Sequence, residues 1–456
     1  MSLRKDGLNF MLLGFVACRV LHYFFDSYHL KIASVVLVLT VIIMSVSKLP
    51  RITMAVLGTL FAGGVVLLVT SGADLQTWLD AVLQNGNVAM LLIIVPLISA
   101  PFYYEDYQSE LKTLAQVRMR SLMSFLLFVS VTMHVLAVIV SVGAILIIYN
   151  LMKPFAQLYD AHEPYLRVAS RSYSSSGFWS PAWASAIVYS AIPGVQWVKI
   201  IPVGIAFAVL FNGISLFAVF MEKKRYPTRY HDIQPKDGDV VNKKKLSAML
   251  ILAIAMIGSI AIVSAVTGWD LMLIVSLMSL LFPLGAALVQ RHVKAYKREV
   301  KSFYDTSLVK VREQVALFTL AGFLGKALDV AGVGAFLTGI LPDWLKAYPT
   351  LMVCLIMLLM ILASFVGIHP GATGTAIVTA FSPASLGLTS YTFCLTILIG
   401  WLLTIMMAPF SATALMLSSA TGRSNFSLSI GLNWKFCAVC LVIFSLLIAA
   451  VGPIMG

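Results

Sequence analysis

Two of the histidines, one ion pair and a set of hydroxyls are the residues able to do chemistry in a chain that is 60% hydrophobic and only 11% charged. His369 stands in "GIHPGATGTA" before Pro370 and Gly371, a strong turn signal, where an imidazole titrating near neutrality can carry a proton. His134 sits alone in an apolar run and reads first as a satisfied core group. Lys326 and Asp329 are three apart, which pairs them on one helix face, either as a structural ion pair locking that helix or as a coupling pair, since charges in hydrocarbon are costly and usually functional. Ser180, Pro181 and Ser185 belong to "WSPAWASAIVYSAIPG", and Pro409, Ser411 and Thr413 to "MMAPFSATALMLSSATG". Each proline removes a helix hydrogen bond and crowds the preceding turn. Freed N–H groups and positive helix ends favour anions. Freed carbonyls and Ser/Thr hydroxyls instead hold a small cation such as Na+. A membrane-embedded transferase with His134 or His369 as its base is the alternative chemistry, and no acidic cluster or His-x-x-Glu spacing equips it.

These residues must be positioned by apolar helices. Runs of about 20 apolar residues read as transmembrane helices, and one soluble core, which stops growing at roughly 250–300 residues, could not hide so much apolar surface. The chain therefore reads as an all-α polytopic membrane protein. The first spans are 8–25, 31–47, 52–70 and 87–104. Arg4 and Lys5 precede the first, and no small-residue cleavage site follows it, so it is a span rather than a signal peptide. The net charge of +13 gathers in short loops, which points to the positive-inside rule and away from nucleic acid. Loop 222–245 holds eight Lys/Arg and loop 291–313 seven. The five cysteines lie in apolar segments with no disulfide frame or metal spacing.

The charge rule fixes the rest of the path. The N-terminus, 48–51 and 105–120 lie in the cytoplasm, and 71–86, with Asp74 and Asp80, lies outside. The apolar run 121–149 enters and returns as a re-entrant hairpin with its turn near Val142–Gly143. This keeps the basic stretch 150–172 inside, with Arg171 either snorkelling to the cytoplasmic surface, the preferred reading, or attracting a substrate anion. Segment 176–195 crosses outward, 199–221 returns, and 246–267 and 270–290 follow. Segment 314–334, holding Lys326 and Asp329 mid-span, crosses outward. Segment 350–381 is a second hairpin opening outside, 391–420 is an interrupted helix running inward, and 430–453 ends outside. The expectation is about eleven crossings of the inner membrane plus two hairpins, N-terminus cytoplasmic and C-terminus outside.

A shift of 228 residues lays "SPAWASAIVYSAIPG" on "APFSATALMLSSATG", matching Pro181 to Pro409, Ala184 to Ala412 and Gly194 to Gly422. The same shift matches Gly143 to Gly371. The chain divides into a first repeat, 1–220, containing hairpin 121–149 and interrupted helix 176–195. A basic linker, 221–245, leads to a second repeat, 246–456, containing hairpin 350–381 and interrupted helix 391–420. The copies face opposite ways, and inverted repeats with broken helices are a signature of secondary transporters.

"MMAPFSATALMLSSATG" (406–422) and "ASFVGIHPGATGTAIVTAF" (363–381) resemble the second interrupted helix and second hairpin of the ion transporter superfamily, which includes divalent-anion/sodium symporters and arsenite-type antiporters. The resemblance covers most of the chain as topology and about 70 residues as motif. It implies a scaffold and a transport domain, commonly in a homodimer, with elevator-type alternating access and cations at the hairpin tips. The Ser-Asn-Thr tip triplets of the symporters are absent; the tips here read "SVGA" and "HPGATGT", so dicarboxylate specificity does not carry over. The reading is a non-enzymatic secondary transporter, symporter or antiporter, for a small anionic solute driven by Na+ or H+. Ser141, Gly143, Ser180, Pro181 and Ser185 are expected to line one half-site. His369, Gly371, Thr373, Thr375, Pro409, Ser411 and Thr413 are expected to line the other. Na+ would sit at the Gly143 and Gly371 tips, and His369, Lys326 and Asp329 are the candidates for coupling; no other cofactor is expected. A lipid or isoprenoid-phosphate carrier on the same scaffold is the rival reading.

Overall fold

The computed structural model describes residues 2–47, 49, 51–119, 121–141, 143–230, 241–365, 370–409 and 411–455. Every element among them is helical. The chain opens with α1 (Ser2–Phe25), α2 (Tyr28–Val46), α3 (Arg51–Thr70), α4 (Leu75–Leu83), α5 (Gly86–Ile94) and α6 (Tyr107–Arg118). Helix α5 tightens into a 3-10 stretch over Val95–Tyr103. Pro96 and Pro101 lack the N–H that an α-helix would bond to the carbonyls four residues back, and the tighter geometry tolerates that better. Next come α7 (Leu122–Val140), α8 (Gly143–Leu158), α9 (His162–Ser175), the one-turn α10 (Ile187–Ala191) and α11 (Trp197–Arg225). The second part holds α12 (Lys243–Thr267), α13 (Leu271–Val289), α14 (Val293–Ser302), α15 (Leu308–Lys310), α16 (Arg312–Val330), α17 (Val333–Ile340) and α18 (Asp343–Ala347). It closes with α19 (Pro349–Phe365), α20 (Pro370–Ala380), α21 (Ser390–Met407), α22 (Ala412–Thr421) and α23 (Leu432–Met455). Among the described residues ten helical segments are long and apolar enough to cross a membrane, eleven with α16 and α17 taken together across their 66° bend. That number is consistent with a multi-pass membrane protein.

Polar bonds between elements gather the basic segments on one face. Asn9 of α1 donates to the Tyr304 carbonyl at 2.7 Å and accepts from Arg312 at 2.6 Å. Thr53 of α3 donates to Glu313 at 2.7 Å, and Lys245 of α12 lies 3.9 Å from Glu110 of α6. Arg167 of α9 meets Glu222, near the end of α11, at 2.5 Å. The other ends of α1 and α2, with α4 and the start of α13, carry a second set, Lys31–Asp80 at 2.5 Å and Tyr23 beside Asp270.

Several boundaries differ from expectation. The loop read over 71–86 contains α4, started by Asp74, whose carboxylate accepts from the Thr77 N–H at 2.8 Å. The second arm of 121–149 runs on to Leu158 as α8, because its apolar stripe, Ile145, Ile148, Tyr149, Met152 and Ala156, keeps helical period past 149. Stretch 150–172 is therefore helix rather than a polar surface loop. Segment 176–195 is not a crossing helix by itself: α9 precedes the break and only α10 follows it. Low hydropathy hid α9, yet it is buried nearly all round. Its serines bond back to the chain, Ser174 to the Ser170 carbonyl and Ser176 to the Tyr173 carbonyl, which lets hydroxyls go where water does not. Arg171, expected at the surface, is 4% exposed.

Helices α7 and α8 pack together, and at the far end of the pair the Tyr159 hydroxyl donates to the Met119 carbonyl at 3.3 Å. Ser121 and Ser124 form a reciprocal cap at the start of α7. Helix α9 packs on α7 and α11, and α21 packs on α19 and α23. The two sets exchange their shortest pieces: α10 packs on α20, and α22 packs on α8. Helix α11 passes so close to the first break that a Cβ on Gly204 would stand 2.6 Å from the Phe178 carbonyl oxygen. Gly204→Ala is expected to cost about 1–3 kcal/mol as overpacking, seen as a lower melting temperature of the purified protein.

Candidate binding site

Four helix interruptions meet at one cavity of about 640 Å³. The junction of α7 and α8 brings Ser141 and Gly143, the break after α9 brings Ala182 and Trp183, the start of α20 brings Pro370, and the break before α22 brings Ser411 and Thr413. Ser141 takes φ +50° at the end of α7, the left-handed region unusual for a residue with a Cβ, and α8 starts at Gly143 immediately beyond it. Helices α8, α20 and α22 all begin at the cavity wall, so three positive dipole ends, about half a charge each, surround it. Ser411 caps α22 by accepting from the Ala414 N–H at 3.3 Å. Thr413 is 4% exposed, and among the described residues its buried hydroxyl has no hydrogen-bond partner.

Tyr173, Trp183 and Trp401 add aromatic wall, and Leu92, Val95, Leu97 and Ile98 add an aliphatic one. The exposed residues of the lining are Pro96 and Tyr103 of the 3-10 stretch and, from the basic face, Ser302, Lys310 and Gln314, with Glu299 half-buried beside them. Burial pushes the Glu299 carboxyl above its ordinary value, and Arg298 pulls it partly back. None of these residues was singled out from the sequence. The pair Pro96 and Pro101 inside an apolar run was the available signal for the 3-10 wall; the charged ones were indistinguishable from ordinary loop charges.

The other expected site residues fall around this cavity rather than in its lining. Ser180 donates to the Val138 carbonyl at 3.1 Å and accepts from the Ala182 N–H at 3.3 Å. Ser185 donates to the Gly177 carbonyl at 3.3 Å. Both satisfy backbone groups that the break exposes, and Pro181 is buried beside them. Ser180→Ala is expected to cost about 1 kcal/mol of stability and to leave ligand affinity unchanged, measured as a melting temperature and a dissociation constant on one preparation. Pro409 is buried in the second break. Gly371 is buried at the start of α20, and Thr373 next to it has a buried hydroxyl unpartnered among the described residues. His369, and Val142 of the first turn, lie outside the described residues.

Lys326 and Asp329 form their ion pair at 2.7 Å toward the C-terminal end of α16, before the bend into α17, with Asp329 47% exposed. Lys326 lines a polar cavity of about 630 Å³ with Arg19, Lys31 and Asp80. Asp329 lines another of about 390 Å³ with Asp270, Asn85 and Thr375, whose buried hydroxyl is also unpartnered among the described residues. His134 is tied into the first set of helices. Its Nε2 accepts from Trp179 Nε1 at 3.2 Å, and its Nδ1 lies 2.8 Å from Ser175 Oγ. An indole only donates, so the imidazole proton sits on Nδ1 and the ring is neutral, its two nitrogens occupied in holding α7 to the first break. No protein-family model matches this chain, and no curated protein matches it.

Proposed function

We propose that the chain is a secondary active transporter, carrying a small anionic solute across the inner membrane by elevator-type alternating access coupled to Na+ or H+. The observation that carries this reading is the convergence of four helix interruptions on one cavity, with three helix N-termini and a hydroxyl unpartnered among the described residues at its wall. Broken backbone at membrane depth is tolerated where protein buries it or where it lines a water-filled cavity, and transporters place their sites at such breaks.

The inverted repeat is part of the proposal. Shifted by 228 residues, α9 (162–175) falls on 390–403, inside α21, and α11 (197–225) on 425–453, against α23. α7 and α8 likewise fall on α19 and α20. We read both pairs as re-entrant hairpins; the Tyr159–Met119 bond, which brings the ends of the first pair together, supports this for α7 and α8. The cavity mouth lies on the basic face, so by the positive-inside rule this is an inward-facing state, with the C-terminus outside. A carrier of lipid-linked phosphates needs basic groups deep in the site, whereas Lys310, the basic residue of the described lining, stands exposed at the mouth.

Reconstituted vesicles test the reading. An imposed Na+ or proton gradient should drive accumulation of a radiolabelled anion against its own gradient, and dissipating that gradient should abolish it. Anion flux that only runs downhill and ignores both gradients would assign the chain to passive channels. The mouth adds a pH dependence. A raised carboxyl pKa means that the folded protein favours protonated Glu299, so this contribution to stability is present at low pH and lost as pH rises through the folded value. The same proton removes a negative charge from the anion's path. Anion affinity should therefore rise as pH falls through the Glu299 titration, and Glu299→Gln should flatten that dependence when dissociation constants are measured across the acid range.

A further inference from the structure

The cavity lining is divided by chemistry as well as by element. Hydroxyls and helix N-termini come together at the breaks, with Ser141, Gly143, Ser411 and Thr413. The stretch that closes α5, together with α16 and the second turn of α22, contributes an apolar set to the same cavity, Val95, Leu97, Ile98, Phe318 and Met416, interrupted by Ser99, whose hydroxyl is returned to the Pro96 carbonyl, and by Tyr103 and Gln314 at exposed positions. A volume of about 640 Å³ lies in the range of sites that hold ligands of drug size, roughly 300–1,000 Å³. It equals the space of roughly twenty waters at about 30 Å³ each. An inorganic oxyanion or a short dicarboxylate would occupy the polar end and leave the carbon wall wet, at a cost proportional to its area. At the basic face the cavity is reached past polar side chains, with Ser302, Lys310 and Gln314 exposed, a route that suits a ligand arriving from water.

We infer that the solute is a water-soluble organic anion with one charged head and an apolar body, the head held by Thr413 and the N-termini of α8, α20 and α22, the body against Val95, Ile98, Phe318 and Met416. The inference rests on the transporter reading only in placing the solute at this cavity; the binding it describes can be measured without transport. A second anionic group is not provided for: among the described lining residues Lys310 is the one fixed cation, and it serves the mouth.

The test is a chain-length series, the straight-chain carboxylates from acetate to octanoate, bound to full-length protein in nanodiscs with empty nanodiscs subtracted. Dissociation constants should fall about fourfold per methylene and level off when the body is filled. The matching neutral amides should bind at least tenfold more weakly at every length. Thr413→Val should weaken all members by one common factor. Val95→Ser and Met416→Ser, at partly exposed positions where the fold tolerates a polar group, should instead flatten the slope while leaving acetate unchanged. A flat series, amides that match the carboxylates, or tighter binding of succinate and sulfate than of octanoate would each overturn the inference. A flat series accompanied by gradient-driven uptake of short anions leaves the transporter reading standing alone. A steep series with no gradient-driven uptake leaves the binding site and removes the transporter.

Discussion

Thr413→Val is expected to weaken anion binding by about ten- to a hundredfold while leaving the melting temperature of the unliganded protein unchanged or higher. Valine keeps the shape and removes the hydroxyl. In the unliganded protein that hydroxyl is buried and unpartnered among the described residues, a condition that costs about 1–3 kcal/mol, so its removal relieves the fold. In the complex it donates to the anion, and a hydrogen bond to a charged group contributes about 1.5–3 kcal/mol, which is the stated factor in affinity. Opposite signs in the two measurements are the mark of a group kept for a ligand. Thr404 supplies the control. Its hydroxyl is buried and unpartnered too, but it is absent from the cavity lining, so Thr404→Val should raise stability without touching affinity. A Thr413→Val protein that melts lower and binds as well as wild type would make Thr413 a structural residue and remove the polar end of the site.

The sequence carried the strong signals of this fold and lost the weak ones for identifiable reasons. Long apolar runs such as α2, α12 and α13 were legible because each is bounded by polar residues and stays apolar for about a span's length. The breaks were legible because Pro181 and Pro409 interrupt such runs, and the 228-residue register tied them together. Helix α9 was not. Hydropathy counts a serine as a loss even when its hydroxyl is returned to its own helix, as Ser174 and Ser176 do, so a buried helix of serines reads as a loop. Periodicity beyond 149 did mark α8 and was outweighed by run length. In the site, Ser141, Gly143, Ser411 and Thr413 were legible as turn and cap residues. Ser180 and Ser185 have the same types and neighbourhood but are turned toward the Val138 and Gly177 carbonyls. Which way a serine faces at a break depends on which carbonyls the break leaves bare, and that is a property of three dimensions. Val95 to Tyr103 was illegible as wall for a related reason: apolar residues facing a cavity and apolar residues facing lipid have one composition.

Asn433→Leu is expected to be among the most destabilising single changes in the chain, and the double variant Arg171→Met with Asn433→Leu less so. Arg171 donates to Asn433 Oδ1 at 3.1 Å, to the Leu432 carbonyl at 2.9 Å and to Ser215 Oγ at 3.4 Å, and its guanidinium lies 4.1 Å from the centre of the Phe436 ring. The described residues place no carboxylate within salt-bridge distance of it; Glu222 is taken by Arg167 and Arg229. The charge is thus held by neutral oxygens and an aromatic face, which binds α9, the helix leading into the first break, to α11 and α23. Asn433 also donates to the Ser429 carbonyl at 3.2 Å. Leucine at 433 leaves a buried cation short of acceptors, a fault that costs about 3–5 kcal/mol, whereas methionine at 171 removes the charge itself and leaves only neutral groups unpaired, at about 1–3 kcal/mol. In a double-mutant cycle read by denaturant or thermal unfolding, the pair should therefore lose less than Asn433→Leu alone. Simple additivity would mean that Asn433 does not carry the Arg171 charge. The cycle also bears on transport, because the same clamp fixes the helix that delivers Trp183 to the cavity, so variants that loosen it should lose uptake in proportion to stability and not through a specific loss of affinity.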